Sequence, residues 1–121
     1  MDRSHLRAFC AAFPGAAEEF PFGDGVAVFK VGGRMFALVS LDGQTGRVHL
    51  KCDPELGETL RAQYAAVEPG YHLNKRHWNT VSLDGTVPDA DVRWMIEHSY
   101  DRVRSGLPRR AQAALELAAR G

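Results

Sequence analysis

The sequence predicts an α+β fold in two layers, with an antiparallel five-stranded sheet and helices on one of its faces. Three observations lead to this prediction. Short β-branched and aromatic runs fill the middle of the chain, and helical apolar periodicity lies near both ends. A Gly32-Gly33 pair between two such runs is typical of a tight hairpin. The predicted order is α-β3-α-β2-α plus a short C-terminal helix.

Composition fits one globular domain over residues 1–121, with 45% hydrophobic and 25% charged residues. Fifteen basic and fifteen acidic side chains cancel, so an overall basic excess does not mark the chain as a nucleic-acid binder. Cys10 and Cys52 are too few for a disulfide framework and lack zinc-ligand spacing. No segment has signal-peptide or membrane-spanning character. We expect a cytoplasmic protein without metal, cofactor or membrane contact.

The first half of the chain contains one helix and three strands. Residues 4–13 carry an apolar helical stripe that ends at Pro14. Residues 18–25 form a loop whose two aromatic residues we expect to anchor it to the core. Strands follow at residues 26–31 and 34–41, and a third is predicted at 47–52.

The second half contains a second helix, two strands and two further helices. Asp53-Pro54 suits the start of a helix that reaches about residue 64. Strands are predicted at residues 71–74 and 78–83, and a capping box at 86–89 precedes a long helix. Its buried stripe is predicted to contain Val92, Met95, Ile96, Ser99, Tyr100 and Val103. Residues 109–120 form the terminal helix.

The hairpin register predicts which sheet face carries the helices. A two-residue turn places Phe29 opposite Phe36, and opposed residues share a face. That face is predicted to be the core face, together with Leu38, Val48 and Leu50. The opposite face then holds Val28, Lys30, Met35, Ala37, Val39, Arg47, His49 and Lys51. The sequence therefore predicts an open, locally basic face.

A polar segment at residues 70–81 combines Lys75, Arg76, His77 and Trp78 just before a strand. Lysine and arginine bind phosphate, and tryptophan offers a flat surface for a base or a protein partner. The competing interpretation is a structural tryptophan at the core margin with solvated cations around it. We expect the Tyr100 hydroxyl to hold this segment in place.

Four stretches together carry a family resemblance. They are Phe20-Pro21-Phe22-Gly23, the run from Val28 to Ala37, the run from Asn74 to Val81, and Ser99-Tyr100-Asp101. With these the chain resembles the YjbR-like family, also called MmcQ/YjbR, although the family pattern carries lysine at the position of Arg34. The resemblance implies a small α+β domain of order α-β3-α-β2-α. It also implies a DNA-binding role.

Two hypotheses of function remain open at the level of sequence. In the first, weak and accessory DNA binding uses the open sheet face and the 74–78 segment, through Lys30, Arg34, Arg47, Lys51, Lys75, Arg76, His77 and Trp78. In the second, Val28, Met35, Ala37 and Val39 form the apolar centre of a homodimer or protein-interaction surface. No motif places a nucleophile, an acid–base pair or a phosphate loop, so we expect no enzymatic activity.

Overall fold

Six antiparallel strands and four helices make up the two layers of the computed structural model, which describes residues 1–120. The helices are α1 (Arg3–Ala11), α2 (Pro54–Gln63), α3 (Asp89–Ser105) and α4 (Arg109–Arg120). The strands are β1 (Ala17–Glu19), β2 (Val26–Val31), β3 (Arg34–Ser40), β4 (Arg47–Lys51), β5 (Val67–Pro69) and β6 (Trp78–Ser82), in the spatial order β1-β2-β3-β4-β6-β5. The predicted α+β fold is confirmed, with six strands in place of five.

The two differences in strand assignment both occur at sheet edges. Residues 17–19, predicted to lie outside any strand, pair with β2 as the short edge strand β1. The predicted strand at residues 71–74 is wrong, because the strand lies earlier, at β5, and residues 71–77 form a loop. Pro69 ends β5, and proline is tolerated at an edge strand, where its missing N–H faces no partner.

A β-bulge in the central hairpin changes which residues of β3 face the helices. Val31 lies opposite Arg34 as predicted, but Phe29 lies opposite Ala37 instead of Phe36, so Phe36 is the extra residue. Beyond the bulge the alternation of β3 is inverted. Ala37 and Val39 therefore belong to the core cluster, whereas Leu38 is outside it. The predicted positions of these three residues are wrong.

The faces predicted for β4 are nevertheless observed. Arg47 lies opposite Ser40, one residue from the predicted partner Leu41. This one-residue slip offsets the inversion at the bulge. Val48 and Leu50 consequently enter the core cluster, and His49 lies across from Leu38 on the open side.

Helix α3 closes the core over the sheet. All six residues of its predicted stripe are buried. Ser99, which is fully buried, donates a hydrogen bond from Oγ to the Phe36 carbonyl (2.5 Å) and accepts one from the Lys51 N–H (2.8 Å). The Tyr100 hydroxyl donates to the Pro14 carbonyl (2.6 Å), so the predicted link between Tyr100 and the 74–78 segment is wrong.

The ends of two helices show how capping prediction succeeds and fails. Asp53 caps α2, since its carboxylate accepts from the Leu56 N–H at 3.1 Å. Helix α3 follows Pro88 without a side-chain cap, and Thr86 instead bonds through its N–H and hydroxyl to Asp84. The predicted capping box is therefore wrong.

Within residues 1–120, no helix combines the length and apolar composition that crossing a bilayer requires.

Candidate functional site

The sheet face turned away from the core cluster, here called the open face, carries the residues of interest in cross-strand rows. Strand pairing places side chains of neighbouring strands next to each other on one face. The first row contains Val26, Ser40, Arg47 and Ser82, and the second contains Glu19, Val28, Leu38, His49, Thr80 and Glu68. Beyond these rows Lys30 pairs with Met35 and Lys51 pairs with Trp78, but the pairing of β3 with β4 ends before them, at Ala37 and Leu50. Acidic side chains occur in these rows only on the edge strands.

Two cations of β4 are available on the open face. Arg47 and Lys51 occupy alternate positions around His49, so their Cα atoms lie about 13 Å apart. Neither side chain takes part in an ion pair among residues 1–120. This strand therefore presents two positive charges that no acidic side chain neutralises.

Lys30 and Arg34, also predicted to bind phosphate, are engaged elsewhere. The Lys30 ammonium lies 3.5 Å from Glu19 of the edge strand, which partly neutralises its charge. Arg34 donates from Nη1 to the Gly106 carbonyl at 2.8 Å, at the end of α3. Since Arg34 lies opposite the core residue Val31, its side chain belongs to the helix side of the sheet. Arg34 is therefore not on the face that carries Arg47 and Lys51, whereas Lys30 shares that face but is paired with Glu19.

The segment 74–78 forms a tight turn beside the end of β4. The Asn74 carbonyl accepts from the N–H groups of His77 (3.1 Å) and Trp78 (2.9 Å). The His77 carbonyl accepts from the Cys52 N–H at 2.8 Å, which joins the turn to the residue after β4. This backbone pairing is a structural role for His77. It also places Arg76, whose side chain is exposed, at the same end of β4 as Lys51.

Trp78 and Lys75 serve partly to order this turn. Trp78 is half-buried, and Gly70 approaches it so closely that a Cβ there would lie 2.8 Å from the Trp78 Cβ. The Lys75 ammonium lies 3.4 Å from the Gly70 carbonyl. The structural interpretation of Trp78 is thus supported by its packing, whereas the exposed aromatic rings of the open face belong to other residues.

A cleft of about 370 Å³ lies on the open face between two loops, and sequence reasoning did not find it. Its walls include Phe22 and Tyr71, whose side chains are 63% and 59% exposed. Phe20 and Phe22 were expected to anchor their loop in the core, and both are exposed, so that expectation is wrong. The lining consists of Phe22, Val26, Leu38, Ser40, Arg47, His49, Tyr71, His72 and Leu73. No acidic residue is among them.

A hydrogen bond at the back of the cleft favours one tautomer of His49. Thr80 Oγ1 accepts from the Tyr71 N–H (3.1 Å) and lies 2.8 Å from His49 Nδ1. Thr80 is buried, so its hydroxyl hydrogen is best used on Nδ1. We therefore assign the ring proton to Nε2. Burial, with a smaller contribution from Arg47, lowers the pKa of His49, so the ring is a neutral donor at pH 7.

His72 has an unusual backbone conformation at the mouth of the cleft. Its φ of 59° is the only positive value outside glycine in the described chain. Its ring centroid lies 4.0 Å from that of Tyr71. Left-handed non-glycine residues cost of order 1 kcal/mol and concentrate at functional sites. The backbone conformation of His72 is thus a second observation, after the exposed aromatic rings, that indicates a functional role for the cleft.

A larger depression at the N-terminus is less suited to binding. It measures about 650 Å³ and is lined by residues 1–4 together with Gly46 and Asp84. Its one guanidinium, that of Arg3, already donates to the Leu41 (3.1 Å) and Asp42 (2.9 Å) carbonyls. These two bonds hold α1 against a turn of the sheet, while the buried Nε of Arg3 has no hydrogen-bond partner among residues 1–120.

Both cysteines are buried free thiols. Burial raises the pKa of Cys52 to about 11 and that of Cys10 to about 12, which keeps both thiols protonated at neutral pH. No cluster of three or more histidine, cysteine or acidic side chains is arranged to hold a metal within residues 1–120.

The two partly buried histidines, His49 and His98, predict a loss of stability in mild acid. Burial is the main cause of the lowered pKa of both His49 and His98, and Arg47 and Arg102 lower them further. Below the ordinary pKa of 6.5 the unfolded chain takes up protons that the folded chain does not. The free energy of unfolding is therefore expected to fall as the pH is lowered from 6.5 towards the two folded pKa values. Urea denaturation between about pH 5 and 7.5 measures this slope. A double variant, His49→Gln with His98→Gln, should flatten it, and an unchanged slope would contradict the assignment.

The sequence matches the YjbR family over residues 11–102. Among proteins of known sequence, the chain is 39% identical over 108 residues to the uncharacterised protein YjbR of Escherichia coli K12, covering 89% of this chain and 92% of that protein. It is 37% identical over 93 residues to the uncharacterised protein YbdF of Escherichia coli O157:H7, covering 77% of this chain and 76% of that protein.

Solved structures agree with this likeness. A crystal structure of a Deinococcus radiodurans protein with the domain DUF419 superposes with a TM-score of 0.88 at 42% identity, over 93% of this chain and 86% of that one. A Pseudomonas syringae protein superposes with a TM-score of 0.71 at 26% identity, over 82% of this chain and 96% of that one. The fold and the family are thus established together.

Proposed function

This chain belongs to the YjbR family, and we propose that it binds DNA weakly, in an accessory role, through the open face of its sheet, with a preference for single strands. The observation that carries the proposal is the pair Arg47 and Lys51, two cations on one strand without acidic partners, beside an aromatic cleft. Lys75 and Arg76 extend the positive charge at one end of β4. We propose binding without catalysis.

The preference for single strands follows from the shape and charge of the two faces. Proteins that bind duplex DNA commonly insert a basic helix into the major groove. On α3, however, Arg102 lies 3.8 Å from Asp53 and Arg104 lies 3.9 Å from Glu116, so these charges are partly compensated. The open face instead combines cations with the exposed rings of Phe22 and Tyr71. Stacking on such rings requires bases that are not already stacked in a duplex.

The second sequence hypothesis, a dimer through an apolar centre on this face, loses its basis. Val28, Ala37 and Val39 are all fully buried, and the latter two lie on the helix side of the bulged strand. Of the four residues predicted to form that centre, only Met35 is partly accessible.

The salt dependence of binding tests the proposed function. If Arg47, Lys51, Lys75 and Arg76 each neutralise one phosphate of a single strand, log K should fall with log salt with a slope of roughly −3. Fluorescence anisotropy of a labelled oligothymidylate, titrated at several salt concentrations, measures this slope. A duplex of equal length serves as the comparison and should bind more weakly. No retention of either probe at low salt would refute DNA binding.

A further inference from the structure

We infer that the cleft holds one unstacked nucleobase of the bound strand, with the adjacent phosphate on Arg47. This inference deepens the proposed function and rests on it, since it names the part of the ligand that the open face recognises. Arg47 alone would account only for attraction to a backbone. The cleft beside it supplies a concave position for a flat ring, with the aromatic rings of Phe22 and Tyr71 in its walls.

The size and lining of the cleft suit a small planar ligand. Its volume of about 370 Å³ lies at the lower end of the range for ligand pockets, which are mostly apolar with a few placed polar groups. Leu38 is one of its apolar contacts, and Phe22 and Tyr71 provide aromatic ones. Exposed aromatic rings on two loops are costly in water and gain most from a partner that is itself flat.

The polar groups of the cleft define which edge of the ligand is recognised. Arg47 is a permanent cation, the neutral His49 offers its Nε2–H, and Ser40 offers a hydroxyl. Because no carboxylate lines the cleft, hydrogen-bond acceptors and negative charge on the ligand are favoured. A nucleobase carries ring and carbonyl acceptors, and its phosphate carries the charge. A nucleotide unit satisfies both requirements at once.

Two serines flanking Arg47 provide a matched pair of variants. Ser40 and Ser82 lie opposite Arg47 on its two neighbouring strands, but only Ser40 lines the cleft. Ser40→Phe places a ring where the base would lie and leaves every charge of the face in place. Ser82→Phe adds the same bulk on the other side of Arg47. Circular dichroism and thermal melting of both variants confirm folding before binding is measured.

The expected result is a loss of about tenfold in affinity for oligothymidylate in Ser40→Phe, which is the scale of one stacked base. Ser82→Phe should bind as well as the unmodified chain or more tightly. A strand of equal length with abasic sugars should bind the unmodified chain more weakly than oligothymidylate does, and Ser40→Phe should not weaken it further.

The outcomes separate this inference from the function on which it rests. If oligothymidylate binds with the expected salt slope but Ser40→Phe binds it equally well, the cleft is not the base site and the inference is overturned, while backbone binding stands. If abasic and normal strands bind alike, the same conclusion follows. If the unmodified chain binds no strand at low salt, the proposed function and this inference fall together.

Discussion

Ser99→Ala is expected to lower the free energy of unfolding by about 2–4 kcal/mol, because two buried backbone groups lose their partner. The β3–β4 ladder ends at the pair Ala37 and Leu50. One step beyond it, the Ser99 hydroxyl bridges the Phe36 carbonyl and the Lys51 N–H. The bulge at Phe36 thus leaves a gap in the sheet that a side chain from α3 fills.

Urea denaturation of Ser99→Ala and of a control on the same helix measures this effect. Ser105→Ala is the matched control, because Ser105 is exposed near the end of α3 and its side chain makes no hydrogen bond within residues 1–120. The control should change the free energy of unfolding by less than about 0.5 kcal/mol. Equal stability of the two variants would show that the hydrogen bonds of Ser99 do not stabilise the sheet where the ladder is interrupted.

The helical layer was predictable from sequence because its signals are local. Helix α3 carries six buried residues at helical spacing, and the Asp53 cap of α2 is encoded within four residues. The sheet was less predictable, since its register depends on a bulge. Nothing in the run from Arg34 to Ser40 marks Phe36 as the extra residue, whereas in the structure its ring packs against Phe13 and Tyr100, which are distant in sequence.

In the candidate site, too, only the features with a local sequence signal were predictable. Alternation along β4 placed Arg47, His49 and Lys51 on one face without knowledge of the fold. The cleft was not predictable, because it arises where two loops that are far apart in sequence lie over the same strands. Phe22 and Tyr71, one from each loop, are 49 positions apart. The signal that could have indicated it is the aromatic loop at residues 20–23, which was interpreted as a core anchor but is exposed.

The second large effect concerns the charge of the open face. At about 50 mM salt, each phosphate contact to a single strand is worth roughly eightfold in affinity, so removing two should weaken binding by about 60-fold. We expect this loss for the double variant Arg47→Gln with Lys51→Gln. The slope of log K against log salt should also become shallower by about 1.4. Both side chains reach solvent, so the substitutions should leave the fold intact.

Comparing the double variant of Arg47 and Lys51 with a second double variant of the same net charge tests most directly whether the open face is the binding surface. Arg109 and Arg110 are exposed on α4, and neither lines the cleft. Their replacement by glutamine should change affinity for oligothymidylate by less than about twofold, since distant charges are screened. A loss confined to the Arg47 and Lys51 pair is the result we predict. Equal losses in the two pairs would show that binding follows net charge rather than this face, and would contradict the proposal.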